Sequence, residues 1–153
     1  MSELLYEEEL KALNRCKLKY LVIGGFAVNL HGLYRLTRDL DLMIDISEDN
    51  LEKFINLMKK LGYASTVAIE KSKNTAALSF RLDKDDYKQI DVFLKNPINF
   101  LRAYKRRKLF KFGKTSVACV GLKDLLAMKE LAGRDRDWID IGYLRKKYGM
   151  DKS

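Results

Sequence analysis

Proline, cysteine and histidine are scarce in this chain. Among its 153 residues there is one proline, Pro97, and one histidine, His31. A chain with so little proline and only nine glycines is neither a low-complexity nor a disordered sequence. The two cysteines, Cys16 and Cys119, stand far apart in apolar surroundings, which favours buried free thiols over a disulfide. A single histidine without a cysteine cluster argues against a zinc site.

Long apolar runs are also absent. The longest apolar-rich stretch without charge covers residues 20–30 and is interrupted by Gly24 and Gly25. A membrane-spanning helix needs about 20 apolar residues, so we expect no membrane partner. The N-terminus is acidic, whereas a secretory signal begins with basic residues followed by an apolar stretch. We therefore expect a cytoplasmic location.

The composition is that of one globular domain with unevenly distributed charge. An apolar fraction of 47% over 153 residues is enough to bury one core, so we expect a single domain over residues 1–153. The net charge is +9, and residues 101–153, with 15 basic and 6 acidic side chains, account for the whole excess. Such asymmetry indicates a polyanionic partner, although a solvated lysine-rich surface explains it equally well.

Helix and strand patterns are mixed along the chain. We predict helices over residues 2–15, 25–31, 48–62 (with Ser47 as N-cap), 98–104, 122–132 and 135–148. We predict strands over residues 19–24, 38–46, 63–69, 75–82, 87–94, 106–112 and 115–120, with turns at 71–74 and 83–86. Several strands are joined by short turns. The order predicts an α+β fold, a mixed sheet with flanking helices, on which residues 122–148 pack as a helical pair.

Two aspartates lie two residues apart on the predicted strand 38–46. Side chains at such spacing share a face, so Asp39 and Asp41 point opposite to the apolar set formed by Leu40, Leu42, Ile44 and Ile46. Neighbouring carboxylates repel each other unless one is protonated or a cation lies between them. At neutral pH a divalent cation is the simpler solution, and hard oxygen ligands select Mg²⁺ or Mn²⁺. Ordinary solvent-facing strand residues are the alternative interpretation.

Asp91 offers a third carboxylate. It is the only acid in the otherwise apolar-rich strand 87–94, and an acid in such a run needs a partner. Three carboxylates can hold two metal ions about 3.5–4 Å apart, which clamp the attacking and leaving oxygens of a phosphoryl transfer. Asp91 could also act as the general base for an acceptor hydroxyl.

Gly24 and Gly25 stand where a predicted strand passes into a helix. A helix start presents unpaired N–H groups and the positive end of the dipole, and glycine lets a phosphate approach that backbone. Next to the downstream acids, the pair indicates a phosphate cradle rather than a plain turn. Arg35 is a better phosphate clamp than Arg38, because Arg38 directly precedes Asp39 and is expected to point to the opposite face. Simple pairing of these arginines with the acids is the alternative interpretation.

Lys129 interrupts an apolar stripe on the predicted helix 122–132. The stripe consists of Leu122, Leu125, Leu126 and Ala132. A lysine on a packed face needs an anionic partner, and a nucleoside triphosphate or the aspartate cluster would serve. A lysine that extends to solvent is the alternative interpretation.

These motifs resemble the nucleotidyltransferase superfamily that includes the DNA polymerase β-like enzymes. Its signature is an apolar residue, glycine, glycine or serine, a spacer, acid–apolar–acid, and a third acid on a later strand. The match here is Ile23, Gly24 and Gly25, a spacer of thirteen residues, Asp39-Leu40-Asp41, and later Asp91. Gly25 stands where larger relatives use serine, so a phosphate contact there would involve the backbone alone.

More narrowly, the chain is similar to small bacterial and archaeal members related to the AbiEii-type toxin group. Those members show His-Gly and Arg-x-Thr before the acid pair, as in His31-Gly32 and Arg35-Leu36-Thr37. They end with a lysine, then Arg-x-Lys-Asp and a further aspartate. The corresponding residues here are Lys129, Arg134, Arg136, Asp137 and Asp140, with arginine in place of the last lysine.

The resemblance implies a nucleotidyltransferase fold and transfer of a nucleoside monophosphate from a nucleoside triphosphate, with ATP expected, to an acceptor hydroxyl. Pyrophosphate would be released. The catalytic and metal-binding residues would be Asp39, Asp41 and Asp91; the nucleotide-binding residues would be Gly24, Gly25, Arg35 and Lys129. The acceptor could be a tRNA end, a protein side chain or a small molecule such as an antibiotic. Because the domain is small, a homodimer or an antitoxin partner could complete the pocket.

A basic segment between Arg102 and Lys114 suggests RNA as a partner. It holds seven basic residues, no acid and three aromatic rings, so it could neutralise phosphates and stack bases. A hairpin with core-facing aromatics and a lysine-rich outer face is the alternative. Two other functions therefore remain open: a toxin of a toxin–antitoxin pair that acts on RNA, and a non-catalytic nucleic-acid-binding domain with the same fold.

Overall fold

The computed structural model describes residues 4–65, 69–72, 75–82 and 85–150 of the chain. The helices in this part are α1 (Glu7–Arg15), α2 (Gly24–Leu30), α3 (Glu48–Lys60), α4 (Phe100–Lys105), α5 (Leu122–Ala132) and α6 (Asp135–Lys147). The strands are β1 (Tyr20–Ile23), β2 (Leu40–Ile44), β3 (Tyr63–Ser65), β4 (Ile69–Ser72), β5 (Thr75–Leu82), β6 (Asp85–Lys95), β7 (Lys108–Phe112) and β8 (Thr115–Cys119).

The strands form one mixed sheet in the order β3-β5-β6-β2-β1-β8-β7, with β4 also paired to β5. At its centre β2 runs antiparallel to β1 and parallel to β6. Strand β1 is parallel to β8 on its other side, and β7 forms a hairpin with β8. The expected α+β architecture, a mixed sheet with flanking helices, is confirmed. The expectation of one domain over residues 1–153 stays a prediction.

The central strands are apolar because helices cover them. All four residues of β1 are buried, and Leu40, Leu42, Met43 and Ile44 of β2 are almost fully inaccessible. Apolar side chains of the amphipathic helices α1 and α3 join the same core, as do Leu125 of α5 and Ile141 of α6. Asp39 and Asp41, by contrast, lie towards the N-terminal end of β2, next to the point where β1 ends at Ile23.

Three sequence predictions need correction. Of the predicted helix over residues 2–15, the described residues 4–6 are not helical: α1 begins at Glu7, because Tyr6 has a φ of +69°, a left-handed conformation that a right-handed helix does not contain. Ile46 is 57% exposed rather than core-facing. Strand β2 ends at Ile44, and the Ser47 N–H then donates to the Asp45 carboxylate, so the alternation does not continue. Cys16 is an exposed thiol at the end of α1, whereas Cys119 is buried.

Some predicted boundaries shift by a few residues. Strand β4 includes residues 71–72 of the predicted turn 71–74, and β6 already begins at Asp85, inside the predicted turn 83–86. Residues 66–68, 73–74 and 83–84 lie outside the described residues. Within the described part of the chain, no helix is both long and apolar enough to cross a membrane.

Candidate active site

The connection from β1 to α2 depends on a glycine in contact with the acid pair. Gly24 has a φ of +66°, a conformation that glycine adopts without strain. A Cβ atom at Gly24 would overlap the Asp41 carboxylate and lie 3.2 Å from its Cγ. A Cβ at Gly25 would lie 2.8 Å from Thr37 Oγ1. The backbone of the glycine pair is therefore packed directly against the segment that carries the acids.

Strands β2 and β6 bring the second and third aspartates together. They run in parallel, and Asp41 is in register with Asp91. Residues opposite each other in a ladder point to the same face, so both carboxylates project from one side of the sheet. Asp39, two residues before Asp41 in the chain, lines the same cavity as these two.

The carboxylate of Asp91 is buried and held by hydrogen bonds. Its exposed fraction is 4%. Ser79 of β5 donates its hydroxyl to Asp91 Oδ1 at 2.6 Å, and the Gln89 side-chain amide donates to the same oxygen at 2.9 Å. Two donors on one oxygen fix the orientation of the side chain. In the described part of the chain, no group of three or more acidic, histidine or cysteine side chains is close enough to form a preformed metal cluster.

The loop before β2 is tied to the neighbouring helices. The backbone N–H of Arg35 donates to the side chain of Asn29 in α2 at 2.9 Å. The guanidinium of Arg35 forms an ion pair with Asp140 of α6. Arg35 therefore joins the glycine-containing helix to the C-terminal helical pair.

Lys129 is buried between two aspartates of α6. Its exposed fraction is 7%, and its ammonium lies 2.9 Å from Asp140 and 3.3 Å from Asp137. The anionic partners expected from its position on the apolar stripe are thus residues of the chain itself. Asp140 is shared between Lys129 and Arg35, so one carboxylate links both predicted phosphate-binding cations.

Asp137 completes this network and carries a lowered pKa. Burial alone would raise the pKa of its carboxyl. Hydrogen bonds and charge from Arg134, together with the charge of Lys129, outweigh burial and lower the pKa below its usual value. The carboxylate therefore stays ionised under ordinary conditions and keeps Lys129 paired.

The glycine pair, the three aspartates, Arg35, Lys129 and Asp137 border one cavity of about 860 Å³. One part of its lining consists of the glycine pair and the aspartates Asp39, Asp41 and Asp91. Another part is basic and includes Arg35, Arg38, Lys129, Arg134 and Arg136. The expectation that Arg38 faces away from Asp39 is wrong in that both border this cavity, because β2 begins only at Leu40 and strand alternation does not extend to them. The remaining lining is largely apolar and comes from Phe93, Pro97, Leu125, Met128, Leu131 and Ala132. The cavity is large enough for a nucleotide, and it combines carboxylates with cations and an apolar surface.

Comparison with known protein families shows which family the chain belongs to. The family model described as "Nucleotidyl transferase AbiEii toxin, Type IV TA system" matches residues 8–153. The chain belongs to the AbiEii family. It is a nucleotidyltransferase, as the glycine pair and the acid pair predict. No curated protein matches the sequence.

Solved structures show the same fold at low sequence identity. The lincosamide antibiotic adenylyltransferase LnuA, bound to lincomycin, is 16% identical with a TM-score of 0.63, over 90% of this chain and 92% of that one. The antibiotic-resistance factor ANT(2'')-Ia is 11% identical with a TM-score of 0.62, over 95% and 83%. TM1012 from Thermotoga maritima, described as a nucleotidyltransferase, is 14% identical with a TM-score of 0.60, over 97% and 98%. The predicted nucleotidyltransferase fold is confirmed.

The structure places every predicted site residue of this AbiEii-family chain on the same cavity. These residues are Gly24, Gly25, Arg35, Asp39, Asp41, Asp91 and Lys129. Sequence reasoning missed the residues that hold them. Ser79 and Gln89 bind Asp91, and Asn29 fixes the backbone at Arg35. The sequence could have indicated Gln89 as a neighbour of Asp91, because residues two apart on a strand share a face. No local pattern in the sequence indicates the contacts of Ser79 and Asn29.

Proposed function

We propose that this AbiEii-family chain is a metal-dependent enzyme that transfers a nucleoside monophosphate from a nucleoside triphosphate, ATP being the expected one, to an acceptor hydroxyl. The main support is the juxtaposition of three elements. The register of β2 and β6 sets Asp41 opposite Asp91, and Gly24 packs against Asp41 on the same cavity. A backbone that a phosphate can approach therefore lies beside carboxylates.

The donor chemistry of the cavity suits a hard divalent cation. Asp39, Asp41 and Asp91 offer only carboxylate oxygens, which Mg²⁺ and Mn²⁺ prefer together with water and phosphate oxygens. The described side chains form no preformed three-ligand cluster, so a cation held here would need phosphate oxygens and water as further ligands. A bound cation would neutralise the phosphates and stabilise charge on the leaving pyrophosphate.

The phosphates would be held by the backbone and by the cations of the cavity. Helix α2 has only seven residues, so close backbone approach at Gly24 and Gly25, rather than a helix dipole, would provide the backbone contact. Arg35 and Lys129 are already paired with Asp140. To contact a triphosphate, Arg35 and Lys129 would have to share their contacts between Asp140 and the phosphates, or leave Asp140 altogether. Nucleotide binding would therefore weaken the ion pair by which Arg35 connects the loop before β2 to α6.

The proposed reaction is an in-line displacement at the α-phosphorus. The acceptor oxygen forms a bond to the α-phosphorus, the bond from that phosphorus to the bridging oxygen breaks, and pyrophosphate leaves with the bonding electrons. The acceptor proton passes to Asp91, whose orientation Ser79 and Gln89 maintain.

Calorimetric titration tests this proposal directly. We expect ATP to bind the wild-type chain with Mg²⁺ present and at least about tenfold more weakly with EDTA, because unscreened phosphates would face three carboxylates. The Asp91→Asn variant should bind Mg²⁺–ATP roughly tenfold more weakly, since a neutral amide replaces one of the negative charges that attract the cation. Asp124→Asn is the matched control: Asp124 is also buried but pairs with Arg106, outside the cavity.

Equal ATP affinity with and without Mg²⁺ would contradict the metal-dependent reaction. Titration with GTP, CTP and UTP in the same series would establish the base preference. The expected antitoxin or homodimer partner and the cytoplasmic location stay predictions.

RNA is a second candidate partner, because all seven basic residues between Arg102 and Lys114 are exposed. The three aromatic rings of this segment are already engaged, and Phe112 packs against the hydrophobic core. Tyr104 stacks on Phe100 and is covered by Arg107, and Phe110 packs edge-on against His31. Leu109 is 62% exposed. The segment therefore offers phosphate neutralisation rather than base stacking.

Salt dependence tests the RNA proposal. If several of these cations contact phosphates, the logarithm of the affinity for a single-stranded RNA should fall with the logarithm of salt, with a slope of about −0.7 per contact. The double variant Lys108→Gln/Lys111→Gln should reduce the slope by about one or more. A flat dependence in the wild type would exclude this segment as an RNA contact.

A further inference from the structure

Tyr6 makes contacts that connect the elements of the site. It precedes α1, is completely buried and holds a φ of +69°. The left-handed conformation is unfavourable for a tyrosine, and it persists only where contacts with the surrounding structure hold the residue in place. The ring of Tyr6 packs edge-on against Phe26 of α2, with 5.5 Å between centroids. One side of the residue therefore contacts the helix that begins with Gly24 and Gly25.

The hydroxyl of Tyr6 bridges the two strands that carry the aspartates. It lies 2.6 Å from the carbonyl oxygen of Arg38, to which it donates. The backbone N–H of Gln89 donates to the hydroxyl oxygen at 2.9 Å. Arg38 directly precedes Asp39, and Gln89 stands two residues before Asp91. The hydroxyl thus joins the segment that leads into β2 to β6, close to the first paired residues of these strands, Leu40 and Ile90.

The contact continues to the third carboxylate through Gln89. Its backbone is bound by Tyr6, and its side-chain amide donates to Asp91 Oδ1 at 2.9 Å. A displacement of Gln89 would therefore move one of the two donors that orient Asp91, the other being Ser79. The Tyr6 hydroxyl contacts both the backbone next to Asp39 and the residue whose amide binds Asp91.

We propose that Tyr6 is a positioning residue of the nucleotidyltransferase site. It fixes the separation of Asp39 and Asp41 from Asp91 by bridging the Arg38 carbonyl and the Gln89 N–H. This inference rests on the function proposed above. Its physical basis is that metal binding and in-line transfer tolerate little error in the relative position of ligands, and displacements of about 1 Å can cost about 100-fold in rate.

The Tyr6→Phe variant tests the proposal, because it removes the hydroxyl and keeps the ring on Phe26. Tyr20→Phe is the matched control. Tyr20 is 2% exposed, its hydroxyl binds Asn14 and the Ala118 N–H, and it lies at the end of the β1–β2 ladder that is distant from Asp41. Both variants lose one buried hydroxyl, so both should lower the melting temperature by a few degrees.

Two readouts separate positioning from general stabilisation. One is Mn²⁺ affinity in the presence of α,β-methylene-ATP, measured by electron paramagnetic resonance. The other is transfer of label from α-labelled ATP to acceptors in a bacterial lysate. We expect Tyr6→Phe to weaken Mn²⁺ binding about tenfold and to lower kcat about tenfold, with the KM for ATP changed by less than about threefold. Tyr20→Phe should leave both readouts at the wild-type level.

The outcomes are distinguishable. Equal Mn²⁺ affinity and equal kcat in Tyr6→Phe and Tyr20→Phe would overturn the positioning role and leave the proposed function intact. A wild-type chain without Mn²⁺ binding or transfer would instead refute the proposed function. If Tyr6→Phe does not fold, 4-fluorophenylalanine at position 6 supplies the test. Its fluorine fills the space of the hydroxyl but cannot donate to the Arg38 carbonyl, and a kcat and Mn²⁺ affinity equal to those of the wild type would contradict the proposal.

Discussion

Nucleotidyl transfer is expected to fall by at least about 1,000-fold when Asp39 and Asp41 are both replaced by asparagine. Asparagine keeps the size of the side chain but removes the negative charge that would hold a divalent cation, and such a cation is worth several kcal/mol to the transition state. The assay follows label from α-labelled ATP into the RNA, protein and small-molecule fractions of a bacterial lysate. It therefore detects transfer to a tRNA end, to a protein side chain or to a small molecule.

Asp45→Asn is the control for this experiment. Asp45 belongs to the same segment but follows the end of β2 and does not border the cavity. It should retain transfer within about threefold. Circular dichroism and thermal unfolding should show that Asp39→Asn/Asp41→Asn is folded, since neither residue belongs to the apolar core. Undiminished transfer in the folded double variant would show that the acid pair has no part in catalysis.

Gly24→Ala is expected to cost both stability and activity, for two different reasons. Alanine at a φ of +66° is strained by about 1–2 kcal/mol. Its Cβ would also overlap the Asp41 carboxylate, which must then move. We expect the free energy of unfolding to fall by roughly 2–3 kcal/mol and transfer to fall by at least about 100-fold.

Gly149→Ala separates these two effects. Gly149 has a φ of +67°, almost the same as Gly24, but a Cβ there would have no neighbour within 4 Å. This variant should lose about 1–2 kcal/mol from strain and keep full activity. Urea unfolding and the transfer assay measure both quantities. Wild-type activity in Gly24→Ala would show that contact between Gly24 and Asp41 is not needed for the reaction.

Local patterns were sufficient to predict the central elements of the fold. Glycines after the apolar run ending at Ile23 marked the passage from β1 to α2, and the alternation around Asp39 and Asp41 marked β2. These features are encoded within a few residues of sequence. The lone acid Asp91 was equally visible, because a carboxylate is unusual in an apolar strand. The strand register that places Asp91 opposite Asp41 could not be predicted from the sequence, since pairing between strands far apart in the chain leaves no local pattern.

The predictions failed where a turn or a distant contact overrides the local pattern. The apolar alternation at Ile46 continued past the end of β2, where the backbone turns at Asp45. Tyr6 was indistinguishable from a helix residue, because its partners Arg38 and Gln89 lie 32 and 83 residues away. The need of Lys129 for an anion was predicted correctly. Its partners in the structure, however, are Asp137 and Asp140 of α6 rather than the aspartates of β2 and β6.

The central claim is that Asp39 and Asp41, with Asp91 opposite them, bind a divalent cation together with nucleotide phosphates. A crystal structure of the chain with Mn²⁺ and α,β-methylene-ATP, with the ion located by its anomalous scattering, tests it most directly. We predict Mn²⁺ ligated by Asp39 and Asp41 and by a phosphate oxygen, with the triphosphate against Gly24 and Gly25. A nucleotide bound elsewhere, or bound at the glycines with Mn²⁺ remote from these aspartates, would contradict the account.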